Sequence, residues 1–251
     1  MNKLKILIFD IEMAPLTAYV WGRRDVNIAL NQIKKEWSVI AWAAKWFGAS
    51  ARSTVYYDQR DAKDIEKDKD ILTYLWVLLD EADIVITQNG QAFDARKLNA
   101  RFILHGMPPP KPYRHLDTYL IAKRIADFTS NKLEYLTDKL CTKYKKLNHS
   151  KFPGMLLWTE CLKGNIKAWN EMKRYNIHDV LATEELYNKL KAWTPSNMFS
   201  LATNHQECRV CGPSTKMWHK GYESKKTGRY HRYQCQKCFA WTIGERVKGY
   251  K

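Results

Sequence analysis

The chain has 251 residues, 45% of them apolar and 27% charged, with 11 Gly and 8 Pro. A chain of that length buries roughly 70–75% of its unfolded surface in an ordinary core, and the composition excludes a disordered, collagenous or low-complexity protein. Lys and Arg number 42 against 26 Asp and Glu, a formal charge of +16 that favours polyanionic partners, and the 10 Trp and 14 Tyr add flat rings of the kind on which single-stranded nucleic acid stacks.

From the N-terminus, Leu4 to Glu12 reads as a strand, and because both parities are apolar it is expected in mid-sheet, buried on both faces. Ser38 to Phe47, Ser53 to Tyr57 and Ile84 to Gln88 read as further strands. Asp58 to Asp70 is a charged stretch that predicts a surface loop leading into a helix over Asp70 to Glu81. Helical patterns follow at Ala95 to His105, Thr118 to Phe128, Leu133 to Cys141 and Asn165 to Ala192, and the Pro-rich run after Gly106 breaks the chain between the first two. This order predicts an α/β fold, a mixed sheet covered by helices on both faces. The tail from Pro195 holds 11 Lys and Arg against 3 Glu, so a second, small domain is expected over 204–251, after a first domain over 1–193. No apolar run approaches the ~18 residues that span a bilayer, and MNKLKILIFD lacks the design of a signal peptide, so a cytoplasmic protein without membrane contact is expected.

Asp10 and Glu12 are two apart on the first strand, so both project to the face that Ile6 and Ile8 occupy. Two adjacent carboxylates on a buried strand repel each other and lose solvation, which a divalent cation relieves; the plainer alternative is a strand emerging into water. Asn89-Gly-Gln-Ala-Phe-Asp94 lies where a strand meets a helix, the position of ligand sites in α/β sheets, although alone Asp94 reads as a helix cap and Asn89-Gly90 as a turn. Tyr175 and Asp179 stand one helical turn apart on one face, and His178, off that face, reads as a solvated residue.

Together these three features resemble the DEDD 3′–5′ exonuclease superfamily of the ribonuclease-H-like fold. That family shows Asp-x-Glu on its first strand, Asn-x3-(Phe/Tyr)-Asp at a strand-to-helix junction and, in its tyrosine subgroup, Tyr-x3-Asp on a late helix. The matching residues are Asp10 and Glu12, then Asn89, Phe93 and Asp94, then Tyr175 and Asp179; Arg174 stands where the histidine subgroup has His. The likeness covers residues 4–190 and extends to Asp117-Thr118, with Asp117 read as a structural cap, and to the segment seen in exonucleases related to family B polymerase proofreading domains. It implies two catalytic Mg²⁺ or Mn²⁺ ions: Asp10 bridging both, Glu12 and Asp179 on the ion that activates water, and Asp94 on the second. Tyr175 would orient the nucleophilic water. Met13, which departs from the family's usual Thr, Asn89 and Phe93 would contact the terminal nucleotide.

Cys208-Arg-Val-Cys211 and Cys235-Gln-Lys-Cys238, 23 residues apart, have the spacing of two knuckles that present four thiolates to one structural Zn²⁺. Disulfides or a redox pair are the competing readings, disfavoured by the cytosolic context and the doubled motif, and His205, His219 or His231 could replace a cysteine. HRYQCQKCFAWTI resembles the second knuckle of zinc ribbons in transcription and transposase proteins, with Phe239 where Gly is common. Lys225, Lys226, Arg229 and Arg232, interleaved with Trp and Tyr, suit a grip on a nucleic-acid backbone; a protein-docking or purely stabilising ribbon is the alternative. Cys141 and Cys161 read as small buried apolar residues.

The expected function is that of a free-standing, metal-dependent 3′–5′ exonuclease with a C-terminal zinc ribbon, acting on DNA in preference to RNA. A polymerase or another replication or repair protein is its expected protein partner, because no polymerase fits in 251 residues. A 3′–5′ exoribonuclease and a non-catalytic nucleic-acid-binding module are the alternatives.

Overall fold

The computed structural model describes residues 4–24, 27–147, 151–194, 200–202, 204, 206–212 and 215–249. His205 and residues 195–199 of the expected inter-domain segment lie outside them. The chain divides into two compact units, one formed by Met1–Leu120 and Ser130–Leu186, the other by Ile121–Thr129 and Tyr187–Lys251.

In the larger unit, Ile6–Met13 (β1) is followed by two short strands, Thr17–Ala18 (β2) and Ile33–Lys35 (β3), which pair only with each other. Val39–Trp46 (β4) and Val55–Asp58 (β5) lead to helix α1 (Lys69–Glu81), then Ile84–Thr87 (β6), α2 (Asp94–Leu104), Arg114–Asp117 (β7) and α3 (Thr118–Ile125). Helices α4 (Leu133–Leu140), α5 (Leu156–Leu162) and α6 (Ile166–Leu190) complete the series. The five-stranded sheet has the order β5-β4-β1-β6-β7, with β1 antiparallel to β4 and parallel to β6. β1 is therefore central, as its two apolar faces require.

Leu7, Phe9 and Ile11 point to one face, where Trp42, Leu75, Leu98 and Phe102 close a buried cluster beneath α1 and α2. On the other face Ile40 and Ala41 meet Leu157, Trp169 and Met172 of α5 and α6. Lys45, buried on β4, pairs with Glu184 at 2.6 Å, and the second Glu184 oxygen accepts from the Gly48 amide at 2.7 Å, which ties α6 to the sheet. Such burial stabilises by about 25 cal/mol per Å² of apolar surface removed from water.

β7 and α5 were not expected from the sequence. Arg114-His-Leu-Asp is a four-residue strand whose only pairing is parallel to β6, and its pattern is too short to show a period. The charged stretch before α1 is also not wholly a surface loop. Asp68 is 1% exposed; it accepts from the Val39 amide at 2.8 Å and from Arg101 at 2.7 Å, and it meets His105 at 2.5 Å. Opposite charge converts an apparent loop residue into a buried tie between α2 and β4.

In the smaller unit, Met217–Lys225 (β8), Gly228–Cys235 (β9) and Trp241–Arg246 (β10) form an antiparallel sheet in the order β10-β9-β8. Its buried cluster consists of Cys208, Val210, Cys235 and Ala240.

Candidate active site

β1 delivers the first two carboxylates. Asp10 pairs with Ala43 and Glu12 with Ala41, so both leave the same face, and the register shifts between Glu12 and Met13. Such an irregularity bends the strand just where its acidic residues end. β6 runs parallel beside it and delivers the third through a turn that only glycine permits: a Cβ on Gly90 would lie 2.3 Å from Thr87 Oγ1. Asp117 shapes that turn, accepting from the amides of Asn89 at 2.8 Å and Gln91 at 3.0 Å while it also caps α3 through the Tyr119 amide at 2.9 Å. The expected cap is thus present and additionally braces the loop. Asp94 is not a cap: it is the first residue of α2, 4% exposed, and its Oδ1 accepts from the Ile11 amide at 3.2 Å. α6 supplies Tyr175 and Asp179, 6% and 4% exposed.

Each carboxylate is held by at least one donor. Asn176 Nδ2 donates to Asp10 Oδ2 at 2.6 Å, Trp158 Nε1 donates to Glu12 Oε2 at 3.1 Å, and Lys146 Nζ lies 3.1 Å from Asp179 Oδ2. With the Ile11 amide on Asp94 the set of four is complete. Sequence reasoning missed all four of these donors. Asn176 precedes Asp179 by three residues and so shares its helical face, a signal that was available. Trp158 sits on the unexpected α5, and Lys146 is one of several lysines in a run with no period. Lys146 also lies 5.1 Å from the centroid of the Tyr175 ring, which meets Trp158 edge-on at 6.2 Å. His178 is not simply solvated: its Nε2 donates to the Lys145 carbonyl at 2.5 Å and its ring packs edge-on against Tyr144, which braces the segment carrying Lys146.

The electrostatics follow from burial and like charge. The Asp10 carboxyl is pushed well above the usual range by loss of solvation, then by Asp94, Glu12 and Asp179, with Lys146 opposing. Burial, then Asp179, raises Glu12 to about 8, and burial raises Asp94 to about 6 against the Ile11 hydrogen bond. Asp179 is raised by burial, against Lys146. Burial and Asp179 push the Tyr175 hydroxyl far above its ordinary value, so it stays protonated at neutral pH. Asp179 Oδ1 is buried with no hydrogen-bond partner. A buried carboxylate oxygen left unpaired among three other acids fits hard divalent cations such as Mg²⁺ or Mn²⁺, which take oxygen ligands.

Beside Glu12, Met13, Trp37, Phe93, Lys97, Met155 and Trp158 line most of a cavity of about 350 Å³. It brings together two of the expected nucleotide contacts, Met13 and Phe93. It does not include Asn89, which is exposed at φ +62°.

In the smaller unit the ligand atoms of Cys208, Cys211, Cys235 and Cys238 all lie within 4.8 Å of one another. Among the described residues this is the only group of three or more His, Cys, Asp or Glu gathered tightly enough to close on a single ion; the carboxylates are spread more widely. Cys208 Sγ and Cys238 Sγ are 3.6 Å apart, far beyond a disulfide bond and near the edge of about 3.8 Å that a tetrahedron with Zn–S of ~2.3 Å would have. The amides of Val210 and Cys211 donate to Cys208 Sγ, and those of Lys237 and Cys238 to Cys235 Sγ, at 3.3 to 3.4 Å. The hydrogen bond with Cys211 draws the Cys208 thiol down to about 5. Four thiol sulfurs so placed could hold zinc, and the donor set fits it. His219 and His231 are not part of it; they contact each other at 3.0 Å on the strands. Lys225, Lys226 and Arg229 line a cavity of about 210 Å³ with Arg246, whereas Arg232 stacks on Trp241 at 4.8 Å.

Residues 38–191 match the family model of the RNase H superfamily. The chain belongs to that superfamily. No curated protein matches it. Among solved structures it is similar to the family B DNA polymerase of the hyperthermophilic archaeon Pyrobaculum calidifontis, with a TM-score of 0.51 and 14% identity over 78% of this chain and 26% of that one. This chain thus spans about a quarter of that polymerase, and the likeness is one of fold. The fold is ribonuclease-H-like, and membership supports a nuclease-type function. No helix among the described residues is long and apolar enough to cross a membrane.

Proposed function

We propose that the chain is a metal-dependent 3′–5′ exonuclease that acts on DNA, with a small zinc-binding domain at its C-terminal end. The observation that carries the reading is the set of four carboxylates on β1, α2 and α6, each fixed by its own donor, with an unpaired buried oxygen on Asp179. Asp10, Glu12, Asp94 and Asp179 would hold two Mg²⁺ or Mn²⁺ ions, which supply an activated water and charge stabilisation at the leaving oxygen.

The chain's own residues do the rest. Asn176, Trp158, the Ile11 amide and Lys146 keep the carboxylates from turning away from one another, so no reorganisation is needed when the charge changes. Tyr175, protonated at neutral pH, donates a hydrogen bond and orients the attacking water rather than taking its proton. Met13, Phe93, Trp37 and Trp158 offer apolar surface to a terminal base, which fits removal of nucleotides from an end. DNA is favoured because the structural neighbour is a DNA polymerase, and a replication or repair protein is the partner we propose. Four thiols held close in a zinc site suit the reducing interior of a cell, where we place the protein.

The test is degradation of matched 5′-labelled single-stranded DNA and RNA oligonucleotides with Mg²⁺, Mn²⁺ or chelator. A metal-dependent ladder that shortens from the 3′ end, faster on DNA, is the expected result. Internal cuts, or binding of both strands without cleavage, would overturn the reading.

A further inference from the structure

The second cysteine knuckle carries a large, exposed ring at a position whose backbone conformation suits glycine. Phe239 follows Cys238 at φ +62°, a region that bulky residues avoid and that glycine enters freely. The knuckle demands that conformation: the Phe239 amide donates to the Cys235 carbonyl at 3.1 Å, and the Cys235 amide to the Ala240 carbonyl at 3.0 Å. A ring that repaid the strain by packing would be buried, yet Phe239 is 59% exposed. Strain held without packing points to function.

The ring opens onto a groove of about 810 Å³ within the smaller unit, which it lines together with Trp193 and Trp241, 75% and 44% exposed, and with Lys189, Lys191 and Lys237. Among the described residues no carboxylate lines the groove. Trp241 also carries the Arg232 guanidinium on one face. Three exposed rings and three ammonium groups call for a partner that is anionic along its length and flat on its side groups. An acidic protein segment meets only the first requirement; an unpaired nucleic-acid strand meets both, through its phosphates and its bases.

We infer that this groove binds single-stranded nucleic acid, with bases stacked on Trp193, Phe239 and Trp241 and phosphates on Lys189, Lys191 and Lys237. The site is separate from the cationic cavity of Lys225, Lys226 and Arg229, and it names where the substrate of the proposed nuclease is held outside the carboxylate site. The inference deepens that reading, but it is tested by binding alone.

The experiment measures the affinity of the zinc-loaded full chain for a labelled oligothymidylate and for an abasic strand of the same length, without added Mg²⁺ or Mn²⁺. Phe239→Gly removes the ring and the strain together, and Trp193→Ala removes a ring away from the knuckle. Each is expected to weaken oligothymidylate binding by about tenfold while leaving the weaker abasic binding unchanged. Phe239→Gly is also expected to keep its zinc and to unfold no earlier than wild type. Unchanged oligothymidylate affinity in both variants, or equal losses on the two strands, would overturn the inference; if Phe239→Gly releases zinc, Trp193→Ala decides alone. A chain that binds as expected but never cleaves refutes the exonuclease and spares the groove, and the reverse result does the opposite.

Discussion

The carboxylates at positions 10, 12, 94 and 179 come from three elements of a unit whose sheet is covered by buried clusters that include Trp42, Leu75 and Phe102 on one face and Ile40, Trp169 and Met172 on the other. The thiols at 208, 211, 235 and 238 come from two short knuckles over a cluster whose buried members, among the described residues, are Cys208, Val210, Cys235 and Ala240. Both sites gather groups that repel one another once ionised. In the first, packing elsewhere holds the groups in place and a cation can come and go. In the second the apolar cluster around the thiols is small, and a bound cation would supply the folding free energy that the cluster lacks. Metal removal is therefore expected to cost activity in one unit and structure in the other.

The largest effect that separates the two is zinc removal. A zinc-selective chelator is expected to abolish the ordered β8–β10 sheet, a change on the order of 10 kcal/mol, while the amide signals of β1 and β4 persist in NMR spectra. Persistence of the small sheet without zinc would show that its packing suffices. Next in size is Asp10→Ala or Asp179→Ala, each expected to lower hydrolysis at least about a thousandfold with unchanged circular dichroism. A variant retaining a tenth of wild-type activity would remove that residue from the site. Smaller again are Asn176→Ala and Trp158→Phe, which free one carboxylate each; the Mn²⁺ concentration for half-maximal activity should rise by about 10- to 100-fold.

The smallest effect is on stability. Glu12 binds its proton more tightly in the folded chain than in the unfolded one, with the folded value at about 8. Its contribution to metal-free stability is therefore complete below the ordinary glutamate range and is lost as pH rises toward 8. Glu12→Gln is expected to make the metal-free protein more stable than wild type at pH 8, and to make little difference at pH 4. Equal unfolding midpoints at pH 8 would mean that the carboxylates do not burden the fold.

The same contrast governs what could be read from the chain. The cysteine spacing is local, so the cluster was legible without any fold. Asp10 and Glu12 were legible because a strand repeats every two residues, and Tyr175 with Asp179 because a helix repeats every 3.6. Asp94 was placed by its junction, yet its partner, the Ile11 amide, lies 83 residues away and leaves no local trace. Lys146 and Trp158 are likewise brought in by tertiary packing, Trp158 on a helix of only seven residues. β7 escaped because parallel pairing to β6, rather than its own pattern, makes Arg114 to Asp117 a strand. Asp68 escaped because the charge that buries it, Arg101, belongs to another helix.

The central claim is that the four carboxylates are the seat of the catalytic cations, and counting bound Mn²⁺ by electron paramagnetic resonance tests it most directly. For the zinc-loaded chain at neutral pH two Mn²⁺ per molecule are expected, both weakened or lost in Asp10→Asn, whose side chain keeps its shape but not its charge. An Asp10→Asn chain that binds Mn²⁺ as wild type does would contradict it.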